Sequence, residues 1–397
     1  MNLVRSLARA QAQTGDDLTS AVPLQRRSNR AMPPSALLVP EWEEVLHGWG
    51  QPRFRATQIF RWIHAHREFD TAKMTNLPVE LRGRLQAEGL TPAVETASVD
   101  RAQDGTRKLL LRLSDGQMVE CVLIAMSHRE PDWSADSIDA SNSGVSPDPA
   151  STRVTLCVST QCGCAMGCVF CASGQAGLRR NLEPQEIEGQ VLEAHRHLLP
   201  GEVLTNLVFM GMGEPLHNYE ATARSIRLLS HPEGQSFGTR RITVSTVGLP
   251  QGIRRLGQDF DGKVGLAVSL HAPNDELRNR IVPLNLKVPL ERILGTLREY
   301  PLPRRRRFTI EYTLIDGIND QPDHAEHLAR LLRGLRVKVN LISMNPISGS
   351  SWRGSSDQRM EQFRERLAAH GYSCFVRARR GQALSAACGQ LALHGAE

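Results

Sequence analysis

The chain has 397 residues, 40% hydrophobic and 23% charged, enough for one large catalytic domain with a smaller one appended, and its formal net charge of +6 fits a polyanionic partner without requiring one. No apolar run reaches the roughly 18 residues of a membrane helix. The N-terminus, with Arg5, Arg9, Asp16 and Asp17, also lacks the apolar stretch of a signal peptide, so the expectation is a cytoplasmic protein with no membrane partner.

Residues 1–35 mix Arg, Gln, Ser and Pro without apolar periodicity and read as a disordered prefix. Over 36–98, Val45, Leu46, Phe54, Ile59, Phe60, Trp62 and Ile63 recur at helical spacing and predict a small helical domain with Arg53, Arg55 and Arg61 on its surface. The 99–153 stretch opens with a β-hairpin: Lys108-Leu-Leu-Leu-Arg-Leu, a turn at Ser114-Asp-Gly-Gln, then Met118-Val-Glu-Cys-Val-Leu-Ile. It continues as a Ser-, Asp- and Pro-rich insertion without periodicity.

From 154 to 378 short apolar runs alternate with amphipathic segments. Strands are expected at Val154 to Ser159, Leu204 to Met210, Arg241 to Val247, Val264 to Leu270, Phe308 to Ile315 and Val337 to Ile342, with helices between them. The fold class is therefore α/β, a partial (βα)6 barrel with a small N-terminal helical domain and a β-hairpin extension, its site at the C-terminal strand edge. Ser373 to Arg377 offers one further strand. Residues 379–397 form a tail rich in Gly, Ala and Ser that contains Cys388.

Eight cysteines in a chain this long are not a secreted disulfide scaffold, and four of them lie between Cys162 and Cys171, the clustering of metal ligands in a reducing compartment. The sharpest signal is Cys164-Ala-Met-Gly-Cys168-Val-Phe-Cys171, three thiols directly after the first barrel strand. A structural zinc site uses four ligands, usually as two separated pairs, and no second close pair follows. Three ligands to a four-iron cluster leave one iron open to a substrate. Buried free cysteines, or a zinc site completed by Cys162 or a distant His, are the alternatives. At the end of the second strand, Phe209-Met-Gly-Met-Gly-Glu-Pro215 has glycines that let a ligand approach the backbone and a carboxylate, Glu214, that can accept from an ammonium group. Ser245, the stretch Ser269-Leu-His271-Ala-Pro-Asn, and Asn345 fall at successive strand ends.

The CxxxCxxC spacing resembles the hallmark of the radical S-adenosylmethionine superfamily. Together with Arg55-Ala-Thr-Gln-Ile-Phe-Arg-Trp-Ile63, Met74-Thr-Asn-Leu-Pro78, Leu156-Cys-Val-Ser-Thr160, Ile310-Glu-Tyr-Thr-Leu314 and Ala386-Ala-Cys-Gly-Gln-Leu391, the chain from about Trp42 onward resembles the RlmN/Cfr family of RNA adenine methyltransferases. That resemblance implies Cys164, Cys168 and Cys171 as ligands of a [4Fe-4S] cluster. It implies Gly213, Glu214, Ser245, Ser269, Leu270, His271 and Asn345 as contacts of S-adenosylmethionine, and 36–98 as an RNA-binding accessory domain. Cys388 matches the cysteine that becomes S-methylated, Cys157 its partner in a transient disulfide, and Glu120 the proton acceptor. Cys162, Cys121 and Cys374 have no role in the pattern.

The implied activity is methylation of adenine carbon 2 in 23S ribosomal RNA at the peptidyl-transferase centre and of adenine 37 in transfer RNA, through a methyl-cysteine intermediate, with flavodoxin or ferredoxin as electron donor. Carbon-8 methylation of the Cfr type is the alternative within the family, and a zinc-stabilised RNA-binding protein is the alternative of another class. Two features depart from the family pattern: the insertion between Glu120 and Cys157 is long, and Gln382-Ala-Leu-Ser385 replaces acidic residues usual before the methylated cysteine.

Overall fold

The computed structural model describes residues 32–126, 151–377, 384, 387 and 389–391; most of the expected prefix, most of the insertion and Cys388 lie outside these. Helix α1 (Val39–Gly48) begins with a proline in its first turn, and the Glu41 carboxylate accepts from the Leu38 amide at 2.8 Å, satisfying a donor that a helix start leaves without an intrahelical partner. Helix α2 (Arg55–Phe60) runs into a π-helical turn at Arg61–Ala65, and α3 (Val79–Ala87) completes the segment. Trp42, Leu46, Ile59, Phe60, Ile63, Met74 and Leu81 form its core. The helical periodicity placed Phe54 in that core. Instead the helix begins one residue later and Phe54 is 58% exposed, with the Arg55 guanidinium 4.7 Å from its ring centre. Leu228, from a barrel helix, joins the same core, and a buried hydrogen bond between His64 Nδ1 and Glu188 Oε1 at 2.5 Å ties the segment to the barrel.

Strands β1 (Val94–Arg101), β2 (Arg107–Leu113) and β3 (Met118–Ala125) form an antiparallel meander, and β4 (Thr152–Cys157) pairs antiparallel with β3. A separate two-stranded ladder joins β5 (Gln161–Gly163) to β6 (Leu178–Asn181). Parallel to β4 and to one another run β7 (Glu202–Phe209), β8 (Ile242–Thr246), β9 (Gly265–Ser269), β10 (Phe308–Leu314), β11 (Val337–Ser343) and β12 (Ser373–Val376). The main sheet is open, ten-stranded and ordered as the strands occur in the chain, β5 and β6 excepted. Seven of its strands are parallel, the seventh being the Ser373 strand. The expected hairpin is a three-stranded meander, because the alternation in Val94–Arg101 pairs with β2.

Strands of a parallel sheet covered on both faces are ordinarily apolar throughout. Here only one face is. Leu207, Phe209, Ile242, Val244, Leu266, Val268, Ile310, Tyr312, Val339 and Leu341 belong to the main apolar core. The alternate positions carry Asn206, Thr243, Ser245, Ser269, Thr309, Glu311, Thr313, Lys338 and Asn340, mostly buried and all polar, with the apolar Val208, Ala267 and Ile342 among them. The period of two gathers them on the opposite face, which is thereby the lining of a site. The run Arg304 to Arg307 precedes β10, at the strand edge away from the cysteines; Arg306 is buried and Arg307 Nη1 donates to Ser373 Oγ at 2.8 Å, so two of its four arginines are used internally.

The apolar face predicts its own sensitivity. Ile310, fully buried at the centre of β10, cannot be cut to Ala without leaving a cavity, and Ile310→Ala is expected to lower stability by about 2 to 5 kcal/mol. Urea unfolding followed by circular dichroism should show a lower midpoint with an unchanged slope.

Candidate active site

After β4 the chain is sewn to the end of β7: Val158 N donates to Val208 O (2.9 Å), Gly211 N to Val158 O (3.0 Å) and Thr160 N to Met212 O (2.8 Å). It then enters the β5–β6 ladder, which pinches off the cysteine loop, with Cys164 N donating to Gly177 O at 3.0 Å. Gly163 at this neck has φ +77°, and a Cβ there would sit 1.8 Å from Gly177 O, so no other residue fits. Inside the loop, Cys171 N donates to Cys168 O and Val169 N to Ile281 O.

Cys164 and Cys168 are buried and Cys171 half-buried, within an apolar shell of Met166, Ala172, Ala272, Ile281, Val282 and Met344. Burial pushes the Cys164 thiol up to about 12, with the Cys171 and Glu214 charges adding to the effect. Cys168 is pushed well above the ordinary range by burial, then by Cys171 and Cys164, against the lowering effect of Arg278. Thiols raised in this way in an apolar pocket ionise only when a cationic centre displaces their protons, and a set of three cysteines suits soft, thiolate-bound iron. Among the described residues no three His, Cys, Asp or Glu side chains converge to hold a single metal ion, whereas ligands to separate irons of one cluster need no such convergence. Cys162 is fully buried on β5 in the main core, its thiol pushed up by burial to about 11.

The second motif forms a tight turn after β7. Gly213 has φ +101° and an added Cβ would meet Gln161 Cβ at 2.6 Å. Gln161 holds the turn, its Oε1 accepting from Glu214 N at 2.8 Å while its Nε2 reaches Asn181 Oδ1 and His217 Nδ1. The Glu214 carboxylate is buried and accepts from Leu216 N at 3.1 Å and from Val247 N, beyond the end of β8, at 2.9 Å. Burial raises its pKa to about 7, against those hydrogen bonds.

Ser245 and Ser269 close β8 and β9 with their hydroxyl oxygens 3.4 Å apart. Leu270 N donates to Glu311 O at 3.0 Å, and the buried His271 stands at φ +60°, a strained position for a side-chain-bearing residue and one that concentrates at functional sites. His271 Nδ1 accepts from Thr313 N at 3.0 Å, and burial, then Arg278, lowers its pKa to about 3. The ring is thus neutral with its proton on Nε2, a fixed donor, and it packs edge-on against Phe170 of the cysteine loop at 4.6 Å. Arg278, fully buried, donates to Leu270 O, Asn285 Oδ1, Val247 O and Ser269 O, tying two strand ends together with its charge toward Cys168. Asn345 is buried in the turn after β11.

Glu120 and Cys157 share one face of the β3–β4 pair, with Val122 opposite Cys157. Glu120 is buried, not solvated, and pairs with Lys108 Nζ at 3.1 Å. Cys157 lies in an apolar cluster with Val122, Val208, Met212 and Leu391, against which Leu384 packs. Leu384 and Leu391 belong to the C-terminal tail on either side of position 388. The same tail docks on the cysteine loop: Ala172 N donates to Gly389 O at 2.7 Å, Ser173 Oγ to Leu391 O, and Gln390 Nε2 to Pro346 O beside Asn345 at 2.9 Å. The described tail residues therefore touch both the cysteine loop and the Cys157 cluster. Sequence reasoning missed Gln161, Arg278 and Lys108, since a buried Arg or Lys has no periodic signature and an exposed role is its ordinary reading.

An open parallel sheet with a three-cysteine loop after its first parallel strand, a glycine-glutamate turn after the second and polar groups at the later strand ends defines an enzyme of the radical S-adenosylmethionine class. Comparison agrees: the model of the radical SAM superfamily matches residues 158–332, and that of the ribosomal RNA large subunit methyltransferase N-terminal domain matches 37–89. The dual-specificity RNA methyltransferase RlmN of Sorangium cellulosum is 54% identical over 92% of this chain and 96% of its own, and that of Halorhodospira halophila 43% identical over 86% and 88%. The crystal structure of a radical SAM methyltransferase from Sphaerobacter thermophilus superimposes with a TM-score of 0.80 at 44% identity, covering 91% of this chain and 99% of its own. The chain belongs to the RlmN family of radical SAM methyltransferases.

Glu214 makes the stability of the metal-free protein depend on pH. Its unfolded form ionises near 4.5 and its folded form near 7, so between these values the unfolded state binds fewer protons and stability falls as pH rises. Glu214→Gln is expected to remove up to roughly 3 kcal/mol of that decline, visible as a flatter plot of unfolding midpoint against pH from 5 to 8. An unchanged slope would place the pH dependence elsewhere.

Proposed function

We propose that this enzyme methylates carbon 2 of adenine in 23S ribosomal RNA at the peptidyl-transferase centre and of adenine 37 in transfer RNA, through a methyl group carried on Cys388. The observation that carries this reading is the docking of the tail residues flanking position 388 onto the cysteine loop, with Leu384 and Leu391 packed against the Cys157 cluster. A radical enzyme acting directly on its substrate has no need of a second cysteine pair there. The relatives' dual-specificity names support two RNA substrates, and Gly213-Glu-Pro215 with Ser269 to Asn274 favours carbon 2 over carbon 8.

Cys164, Cys168 and Cys171 would hold a [4Fe-4S] cluster, with the Arg278 guanidinium offsetting its negative charge. The cluster supplies the electron that turns S-adenosylmethionine into a source of hydrogen-abstracting radicals, as adenine's ring C–H is too weakly acidic for ordinary methyl transfer. Gly213 opens the turn to the methionine portion, and ionised Glu214 pairs with its ammonium group. Ser245, Ser269, Leu270, His271 and Asn345 line the adenosyl portion, His271 offering Nε2–H as a donor. Once the carbon carried on Cys388 is bonded to the base and the adduct has given up one electron, Glu120 takes the ring proton, and the Cys157 thiolate attacks Cys388 sulfur, breaking the sulfur–carbon bond as the departing carbon takes up a proton from solvent, which releases product and leaves a disulfide. A flavodoxin or ferredoxin must then return the electrons. The 36–98 segment is the RNA-binding accessory domain, 99–153 the meander with its insertion, 154–378 the catalytic core and 379–397 the methyl-carrying tail.

Anaerobic purification with iron and sulfide analysis tests the ligands: alanine at Cys164, Cys168 or Cys171 abolishes iron binding and S-adenosylmethionine cleavage, while Cys162→Ala spares both. Cys157→Ala is expected to stall with a covalent link between Cys388 and RNA, seen as an RNA-shifted band and a modified Cys388 peptide, and Cys157→Ala with Cys388→Ala to form none. Normal methylation by Cys157→Ala without a link would overturn the resolving role. Mass spectrometry of RNA from deletion cells reads which adenine carbon has lost its methyl.

A further inference from the structure

We propose that Lys108 is a positioning residue for proton removal, holding the Glu120 carboxylate toward the site and connecting it to Asp100 as the route by which the ring proton reaches solvent. The proposal rests on the reading of Glu120 as proton acceptor and adds two residues to it.

The geometry is a line of charges across three strands. Register pairs Asp100 on β1 with Lys108 on β2, and Lys108 with Val122 on β3, which puts Glu120 diagonally across from Lys108 on one face. Lys108 Nζ lies 3.1 Å from Glu120 Oε1 and 3.8 Å from Asp100 Oδ2. Exposure rises along the line, from 3% for the Glu120 side chain through 9% for Lys108 to 52% for Asp100. An ammonium with three donors on a flexible stem can hold both carboxylates at once. A buried carboxylate that has taken a proton must lose it before the next turnover, and its neutral form is isolated from water here. Lys108 solves this by passing one of its own protons to Asp100 while accepting the one on Glu120, which restores the ammonium and the Glu120 carboxylate together. Asp100 releases its proton to solvent, so charge and proton number balance.

The other ionisable groups on this face are Glu95 on β1, Arg112 on β2, and Arg153 and Cys157 on β4; the Cys121 thiol lies on the opposite face of Glu120's own strand. Lys108 is in an ion pair with Glu120. The backbone of Glu120 is fixed independently, its carbonyl accepting from Ser159 Oγ at 2.6 Å, while Ser159 Oγ also accepts from Met212 N at 2.8 Å. Losing Lys108 therefore removes this ion pair and leaves the backbone anchor of the strand in place.

The test follows decay of the protein–RNA adduct over successive turnovers of reconstituted enzyme, with reductant supplied, from pH 6 to 9, for wild type, Lys108→Met, Lys108→Arg, Asp100→Asn and Glu120→Gln. Lys108→Met is expected to form adduct at the wild-type rate but to resolve it roughly tenfold or more slowly at pH 7, with the acidic limb of the profile moved to higher pH; Lys108→Arg should restore the limb. Asp100→Asn, altered at an exposed side chain, should slow resolution severalfold and enlarge the solvent deuterium isotope effect. An independent readout is the infrared carboxyl band of Glu120 in metal-free protein, identified by its loss in Glu120→Gln: it should persist to higher pH in Lys108→Met than in wild type. If Glu120→Gln resolves adduct normally, the base assignment itself fails. If Glu120→Gln stalls while Lys108→Met and Asp100→Asn resolve with the wild-type profile and the infrared band is unmoved, the Lys108 pair is structural and the inference is overturned. Should Lys108→Met not fold, Asp100→Asn decides alone, a wild-type rate and isotope effect overturning the relay.

Discussion

Three thiols forced together in an apolar pocket repel ionisation, and the rest of the site is arranged around relieving that constraint. Cys164, Met166 and Cys168 share their shell with Ile281, Val282 and Met344, which excludes the water that would otherwise stabilise thiolates. A protein that keeps such a loop must either leave the thiols protonated or fill the space with cations. The effort spent closing the loop favours the second: the β5–β6 neck admits only glycine at position 163, the Gly174 backbone packs on Cys168, and Arg278 spends its donors on strand-end carbonyls while its charge faces Cys168. A buried, fully hydrogen-bonded guanidinium is expensive to desolvate, and its place beside an anionic thiolate-bound centre is a compensation that a purely structural cysteine loop has no use for.

The same constraint explains why the sheet is polar on one face. An apolar lining would complete a hydrophobic core and leave no room for a charged, nucleotide-bearing cofactor. Asn206, Thr243, Ser245, Ser269, Glu311 and Asn340 instead keep that face hydrogen-bonding, while the helices cover the apolar one. Glu214 shows the cost of the arrangement. Its carboxylate is buried, raised to about 7 and stabilised by backbone donors from two loops, so in the free protein it resists the ionisation that an ammonium partner would favour. His271 is the converse, held neutral near a positive group and strained in its backbone.

Much of this was legible in the sequence for a definite reason. Strand β10 and its neighbours are short apolar runs bounded by turn residues, and CxxxCxxC sits directly after one of them, so fold and metal loop could be placed from spacing alone. Family phrases then assigned the strand-end residues. What escaped were features set by tertiary contact. Strand β1 has only Val94 and Val99 as large apolar residues and becomes a strand by pairing with β2. Phe54 continues a helical pattern but falls one residue outside the helix. Arg278 and Lys108 read as surface charges because nothing local says that each will face an anion in the interior. Glu120 stands out in the sequence only through the family resemblance, and its burial comes from the register that places it diagonally across from Lys108.

The open sheet adds a last constraint. A closed barrel has no edge, but here β4 carries an antiparallel neighbour, and the face that bears the polar side chains continues from the parallel strands onto β3 and β2 across an apolar patch of Val208, Cys157 and Val122. The cofactor's strand ends and the Glu120–Lys108 pair are thus parts of one lining, though they come from segments of different topology. The tail then crosses this lining, Gly389 on the cysteine loop and Leu391 against Cys157. The cysteine loop, Cys157, Glu120 and the tail come from four separate stretches of chain. The edge of an unclosed barrel is where such stretches can meet without crossing.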